Sequence, residues 1–231
     1  MCNLYLHFNY LHHKGGELMA EKQITRKEFL KGMGTTLAGT AILGTGLLTG
    51  CAQETASSAE GIPAHPFKYK KLDPTKAAEY GYNAYFEKGG WGVGVAEGFF
   101  GYLAKEVGYP YDQIPTAAFT HAASGYGQGT LCGALGVAAT CIGMVTDVDT
   151  SKKLVNELFN WYKTFEFPQY QPENLNLTHT IAESILCEDS VGKFMAAEGV
   201  AYGDHRRKAR CAGVTADVLK KTIQLLNETL G

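Results

Sequence analysis

A chain of 231 residues is long enough for one domain with a substantial core. Hydrophobic residues make up 45%, typical of a globular protein and too few for a polytopic membrane protein. The formal net charge is −2 and no basic patch stands out, which argues against nucleic acid as a partner.

Residues 1–18, MCNLYLHFNYLHHKGGEL, fit no structural plan. Met19 is a better start, so this stretch is expected to be an upstream extension. Cys2, His12 and His13 carry little weight as metal ligands there, because an export signal follows. Residues 25–31, TRKEFLK, resemble the twin-arginine export motif, with Thr25 for serine and Lys27 for the second arginine. An apolar, Gly- and Thr-rich segment spans 32–50 and ends in LLTGC, a lipobox-like sequence with Cys51 as the lipidated residue. A charged start, a short apolar run and small residues before the cut mark residues 19–50 as a lipoprotein signal peptide. A spanning helix would need about 20 strongly apolar residues. The expected location is the extracytoplasmic face of a membrane, touched through the lipid anchor alone. The twin-arginine route carries folded proteins, often already holding a cofactor.

Residues 51–66 are small, polar and Pro-containing and read as a flexible tether. The folded domain is expected over 67–231. Asp73 followed by Pro74 predicts a helix start, with the end at Gly89-Gly90. Trp91 to Val107 predicts a second helix, closed by Gly108 and Pro110. A third covers about Asp112 to Ala123, and a glycine loop leads into a fourth from about Thr130 to Val145. Asp149 or Thr150 caps the next, which reaches Phe165 with Leu154, Leu158, Trp161 and Phe165 on one face. After an irregular PQYQPENLNLTH, short and long helices follow from Cys187 to about Ala197 and from His205 to Leu230. Convincing alternating strands are absent. The fold class is therefore all-α, a single compact domain of six or seven helices.

Apart from Cys51, this domain holds Cys132, Cys141, Cys187 and Cys211. No CxxC pair, zinc-ribbon spacing or CxxCH occurs, and the last absence argues against c-type haem. Cys132 falls in the first turn of its predicted helix, where the positive end of the dipole lowers a thiol pKa. Thiolates bind iron and zinc and attack disulfides. Gly125, Gly127, Gly129 and Gly133 would let the backbone approach a cofactor closely; equally, they allow close helix packing around a buried Cys132. Cys141 lies nine residues on, on the opposite face of a continuous helix, and reads as a packed thiol. His121 and His179 read as ordinary residues, with a ligand or proton-carrier role as the alternative, and Tyr126 reads as a core residue, with stacking over a cofactor as the alternative. DHRRKAR, from Asp204 to Arg210, reads as a solvated helix start, or as a docking patch for an acidic redox partner.

GYGQGTLCGALG, LCEDSVGKF and RRKARCAGVTADVLKKTIQLLN resemble the C-GCAxxG-C-C family of redox-active proteins. The same blocks resemble the non-haem part of split-Soret cytochromes c. The similarity covers roughly residues 80–230. It implies that Cys132, followed by Gly133, and then Cys187 and Cys211 are the family cysteines and cofactor-binding residues. The family's first cysteine should fall around Gly94 to Glu97, where Val95 is the replacement. Val137 stands at the motif's final glycine, and Glu188 follows Cys187 where relatives often carry histidine. The resemblance implies an iron–sulfur cluster and a homodimer. With three aligned cysteines, a [4Fe–4S] cluster takes an outside ligand, and a [2Fe–2S] cluster needs a substitute such as His179, Asp189 or Cys141.

Three readings follow. The first is electron transfer through an iron–sulfur centre on Cys132, Cys187 and Cys211, with an unidentified redox partner protein. The second is thiol–disulfide chemistry between two of those cysteines. The third is a lipoprotein scaffold with structural disulfides. No nucleophile elbow, P-loop, dinucleotide fingerprint or HExxH motif supports a hydrolase or nucleotide enzyme, and enzyme status stays open.

Overall fold

The computed structural model describes Gly61 and residues 63–231. The expected extension (1–18), the signal peptide (19–50), the lipidation site Cys51 and most of the tether (51–66) lie outside the described residues. The last tether residues lie along the domain. The His65 ring contacts the Gly143 carbonyl at 2.7 Å, and the Phe67 amide donates to Met144 at 2.9 Å.

Asp73 opens α1 (Pro74–Lys88). Its carboxylate accepts the Thr75 and Lys76 amides at 2.8 and 3.3 Å, and Pro74 supplies a preset φ. Gly89 and Gly90, both at positive φ, end it. The rod expected from Trp91 to Val107 is continuous but not uniform. α2 (Trp91–Ala96) passes through a π-turn at Glu97–Gly101 into α3 (Tyr102–Val107). A Cβ on Gly94 would stand 2.7 Å from the Gly81 carbonyl and 2.8 Å from Thr215. α1 and α2 therefore meet backbone to backbone, with the last helix close behind.

The helix expected over 112–123 is two 3₁₀ turns instead, Tyr111–Gln113 and Thr116–Ala122. Pro115 divides them: its ring pushes Ile114 into extended backbone and it has no N–H to continue a helix. α4 (Gly133–Val145) begins three residues later than expected. α5 (Val148–Thr164) is capped by Asp147, which accepts the Asp149 and Thr150 amides at 3.0 Å. A two-stranded antiparallel pair follows, β1 (Glu166–Phe167) and β2 (Thr180–Ile181), in the register Glu166 with Ile181 and Phe167 with Thr180. Two-residue strands are too short to leave an alternating pattern in sequence. α6 (Cys187–Glu198) and α7 (His205–Leu230) complete the domain.

α7 is the spine, packed against α1, α2, α4 and α5. Phe99, Phe100, Leu135, Ile142, Leu158 and Leu219 form the centre of the main core. The described residues thus make an all-α fold of seven helices with one small strand pair. No described helix is long and apolar enough to cross a membrane.

Candidate redox centre

The glycine loop is left-handed. Ser124, Gly125, Tyr126, Gly127 and Gly129 all have φ between 54° and 71°, a conformation that glycine adopts without the Cβ penalty. Gly125 is also close-packed, since a Cβ there would stand 2.7 Å from the Cys187 Cβ. The loop returns the chain so that Leu131 and Leu186 form an isolated antiparallel bridge. The Cys132 amide then donates to Ile185 at 2.9 Å, and the Cys187 amide to Thr130 at 2.6 Å. Each cysteine follows a bridge residue and starts a helix: Cys132 is the N-cap of α4, Cys187 the first residue of α6. Cys211 comes from α7 and packs with Cys187, Tyr85 and Val191.

Cys132, Cys187 and Cys211 are free and buried. Burial pushes the Cys132 thiol up, and the Cys211 sulfur adds to this. The Tyr162 hydroxyl and the Leu135 and Ala134 amides oppose both without prevailing. No side-chain hydrogen bond closes the cap. The expected low-pKa thiol is thus corrected: at 4% exposure, the lost hydration of a thiolate outweighs the helix end. Cys187 is pushed up to about 12, by burial first and then by Cys132 and Cys211, with Arg210 and Arg207 opposing.

These arginines overturn part of the solvated-helix expectation. His205 does face solvent and pairs with Glu173 at 2.7 Å, and Arg206 pairs with Glu198. Arg207 and Arg210, however, are 3% and 1% exposed. Arg207 donates to the Tyr202 carbonyl at 2.6 Å and lies against the Cys211 sulfur. An Arg210 nitrogen donates to Ser190 Oγ at 2.8 Å, and Tyr162 donates to the same oxygen at 2.9 Å. Among the described residues, the Arg210 Nε has no partner. Tyr162, Ser190, Arg207 and Arg210 are the site residues that composition concealed. The available signals were spacings: Tyr162 continues the Leu154–Leu158 stripe at i+4, and Arg207 precedes Cys211 by four on one helix.

The remaining candidates lie elsewhere or at the margin. Cys141 is buried in the main core, and burial drives its thiol well up. His179 is exposed, 3.0 Å from the Gln171 amide nitrogen. Asp189 is half-buried in the first turn of α6. Gly133 is pressed on Ala122, whose carbonyl carbon would stand 2.9 Å from a Cβ, so its smallness serves packing. Tyr126 is partly exposed, its ring 5.7 Å from His121. Val95 is fully buried in the main core.

Among the described residues, no three His, Cys, Asp or Glu side chains converge as ligands of one ion. A single ion draws its donors to within about 2.3 Å of one point. A [4Fe–4S] cluster bonds each thiolate to its own iron and spaces the sulfurs further apart. The Arg210 Nε, unpartnered among the described residues, and the two buried guanidiniums beside three buried cysteines fit a group of negative charge, such as a thiolate-ligated cluster.

The family described as "Putative redox-active protein (C_GCAxxG_C_C)" matches residues 95–225, a span that opens at Val95 and includes all three site cysteines. The chain is 31% identical over 217 residues to the split-Soret cytochrome c of Desulfovibrio desulfuricans, covering 88% of this chain and 78% of that protein. A solved structure reporting a novel iron centre in the split-Soret cytochrome c from Desulfovibrio desulfuricans superposes with a TM-score of 0.67 at 30% identity, covering 71% of this chain and 72% of that one. By its helical scaffold, its cysteine order and these matches, the chain belongs to the C_GCAxxG_C_C family of redox-active proteins and is related to split-Soret cytochrome c.

Proposed function

We propose that this protein transfers electrons through an iron–sulfur centre held by Cys132, Cys187 and Cys211. The observation that carries this reading is the gathering of three buried thiols from three separate segments, Cys132 and Cys187 by the Leu131–Leu186 bridge and Cys187 and Cys211 in one packed cluster. The related cytochrome, whose structure reports an iron centre, lends it support. When bound, such a centre supplies a one-electron couple whose potential depends on charge, hydrogen bonds to sulfur and solvent exposure. The three cysteines release their protons on binding. The Tyr162 hydroxyl and the Ala134 and Leu135 amides favour the thiolate of Cys132, and the apolar walls exclude water. Raised thiol pKa values make Cys132 and Cys187 poor nucleophiles, which weighs against thiol–disulfide exchange at these two.

The test is iron, acid-labile sulfide and a visible spectrum on the full-length protein purified without oxygen. We expect both elements and a broad absorbance bleached by reductant. Colourless, iron-free protein after attempted reconstitution would overturn the reading.

The same reading places the protein outside the cytoplasm as a lipoprotein anchored through Cys51, serving a partner redox protein and assembling as a homodimer. The TRKEFLK and LLTGC segments support the anchor. Membrane fractionation checks it: the wild type should sediment with membranes and the Cys51→Ser variant should not. Equal distribution of the two would remove the anchor from the reading.

A further inference from the structure

We propose that Arg207 and Arg210 are the buried counter-charge of this centre: they hold its ligands as thiolates and set the equilibrium at which it accepts an electron. The inference rests on the reading of Cys132, Cys187 and Cys211 as ligands.

Arginine is almost never fully buried unless paired, yet both side chains are nearly sealed from solvent. The ion pairs formed among the described residues include neither of them. Their hydrogen bonds go to neutral acceptors. Arg207 reaches the Tyr202 carbonyl and, at 3.5 Å, the Tyr85 hydroxyl. Arg210 reaches Ser190 Oγ and leaves its Nε–H unsatisfied. Aromatic faces take part of the load: the Arg207 guanidinium lies 4.3 Å from the Tyr202 ring centroid and the Arg210 guanidinium 5.7 Å from that of Phe194. None of these partners carries a negative charge.

Asp217 is the buried carboxylate on the same helix. Its oxygens accept the Gln169 and Tyr170 amides at 2.7 and 3.1 Å, and it makes no ion pair with either arginine. The site cysteines are their near neighbours in the fold. Arg207 stands one turn before Cys211, and Arg210 joins Ser190 at the start of α6, three residues after Cys187. A guanidinium does not lose its proton in a protein. Two fixed, buried positive charges favour negative charge beside them, and metal-bound thiolates would supply it. A one-electron carrier that reduces the centre adds one more negative charge. No protein bond breaks and no proton has to move, because the balancing charge is already in place.

The test uses full-length Arg210→Met and Arg210→Lys, with two readouts. The first is a reductive titration of the loaded protein with a reduced viologen. Arg210→Met should shift the reduction equilibrium at least tenfold toward the oxidised form, about 59 mV for one electron, and Arg210→Lys should restore most of it. The second is the urea midpoint of iron-free protein. Removing a lone buried cation should leave iron-free Arg210→Met at least as stable as iron-free wild type, which also reads a variant that fails to load iron. An unshifted equilibrium at full iron content would overturn the proposal. So would a loss of stability in the iron-free variant, which would make Arg210 a packing residue against Phe194 and Ser190. Wild type without iron and sulfide would instead sink the ligand assignment itself, a separate result.

Discussion

α4 carries two buried thiols, and they live in different chemistry. Cys141 sits deep in the main core beside aliphatic and aromatic side chains, and burial dominates its ionisation. Cys132, at the other end of the same helix, is nearly as buried, but it faces a tyrosine hydroxyl, two amides and the Cys211 sulfur. Depth therefore does not separate a structural cysteine from a functional one. The difference lies in whether polar groups have been buried with it at a cost that packing alone does not recover.

The sharpest way to break this comparison is to remove each sulfur in turn. Cys132→Ala and Cys211→Ala should each lose most of the bound iron. Cys141→Ala should keep a full complement and lower stability by roughly 1–2 kcal/mol through the small cavity it leaves. Iron per chain and urea unfolding read both effects. Full iron in Cys132→Ala, or iron loss in a folded Cys141→Ala, would erase the distinction.

A smaller effect concerns Asp217. Burial raises its carboxyl to about 6, with the Gln169 and Tyr170 amides, Lys220 and Arg210 pulling the other way. A carboxylate serving as true counter-charge to Arg210 would be lowered instead. The folded pKa lies above the unfolded value of 3.8. The protonated form therefore contributes stability that is complete below pH 3.8 and is lost as pH rises through about 6. The drop across this window should be about 2–3 kcal/mol, read from urea midpoints at pH 4 and pH 7, and Asp217→Asn should abolish it. Stability that rises with pH through Asp217 would hand it the charge-balancing role assigned to the thiols.

Much of the scaffold was legible because helix ends carry their own chemistry. The Asp73-Pro74 start, the Gly89-Gly90 stop and the long run from His205 stand where capping and spacing put them. Pro115 hid the break between the two 3₁₀ turns, because the surrounding composition still looks helical. The π-turn at Glu97–Gly101 sets Gly98 against Ala77 of α1 and Leu219 of α7, and no local residue pattern announces such a register change. Cys132, Cys187 and Cys211 stood out by their order and neighbours, and the family match spans all three. The arginines were not: within DHRRKAR every charged residue invites the same solvated reading, and only the path of α7 turns Arg207 and Arg210 inward while Lys208 stays out. The thiol pKa was misjudged for a related reason. Sequence reports the helix end but not how deeply it lies.

The bridge between Leu131 and Leu186 has one more consequence. It clasps two distant stretches of chain one residue ahead of Cys132 and Cys187, so under the proposed ligand reading the fold itself brings these two donors to one site. The entropy of bringing them together is settled while the protein folds, not when a metal arrives. Capture then needs only the third arm, carried by a helix that already forms the spine of the domain.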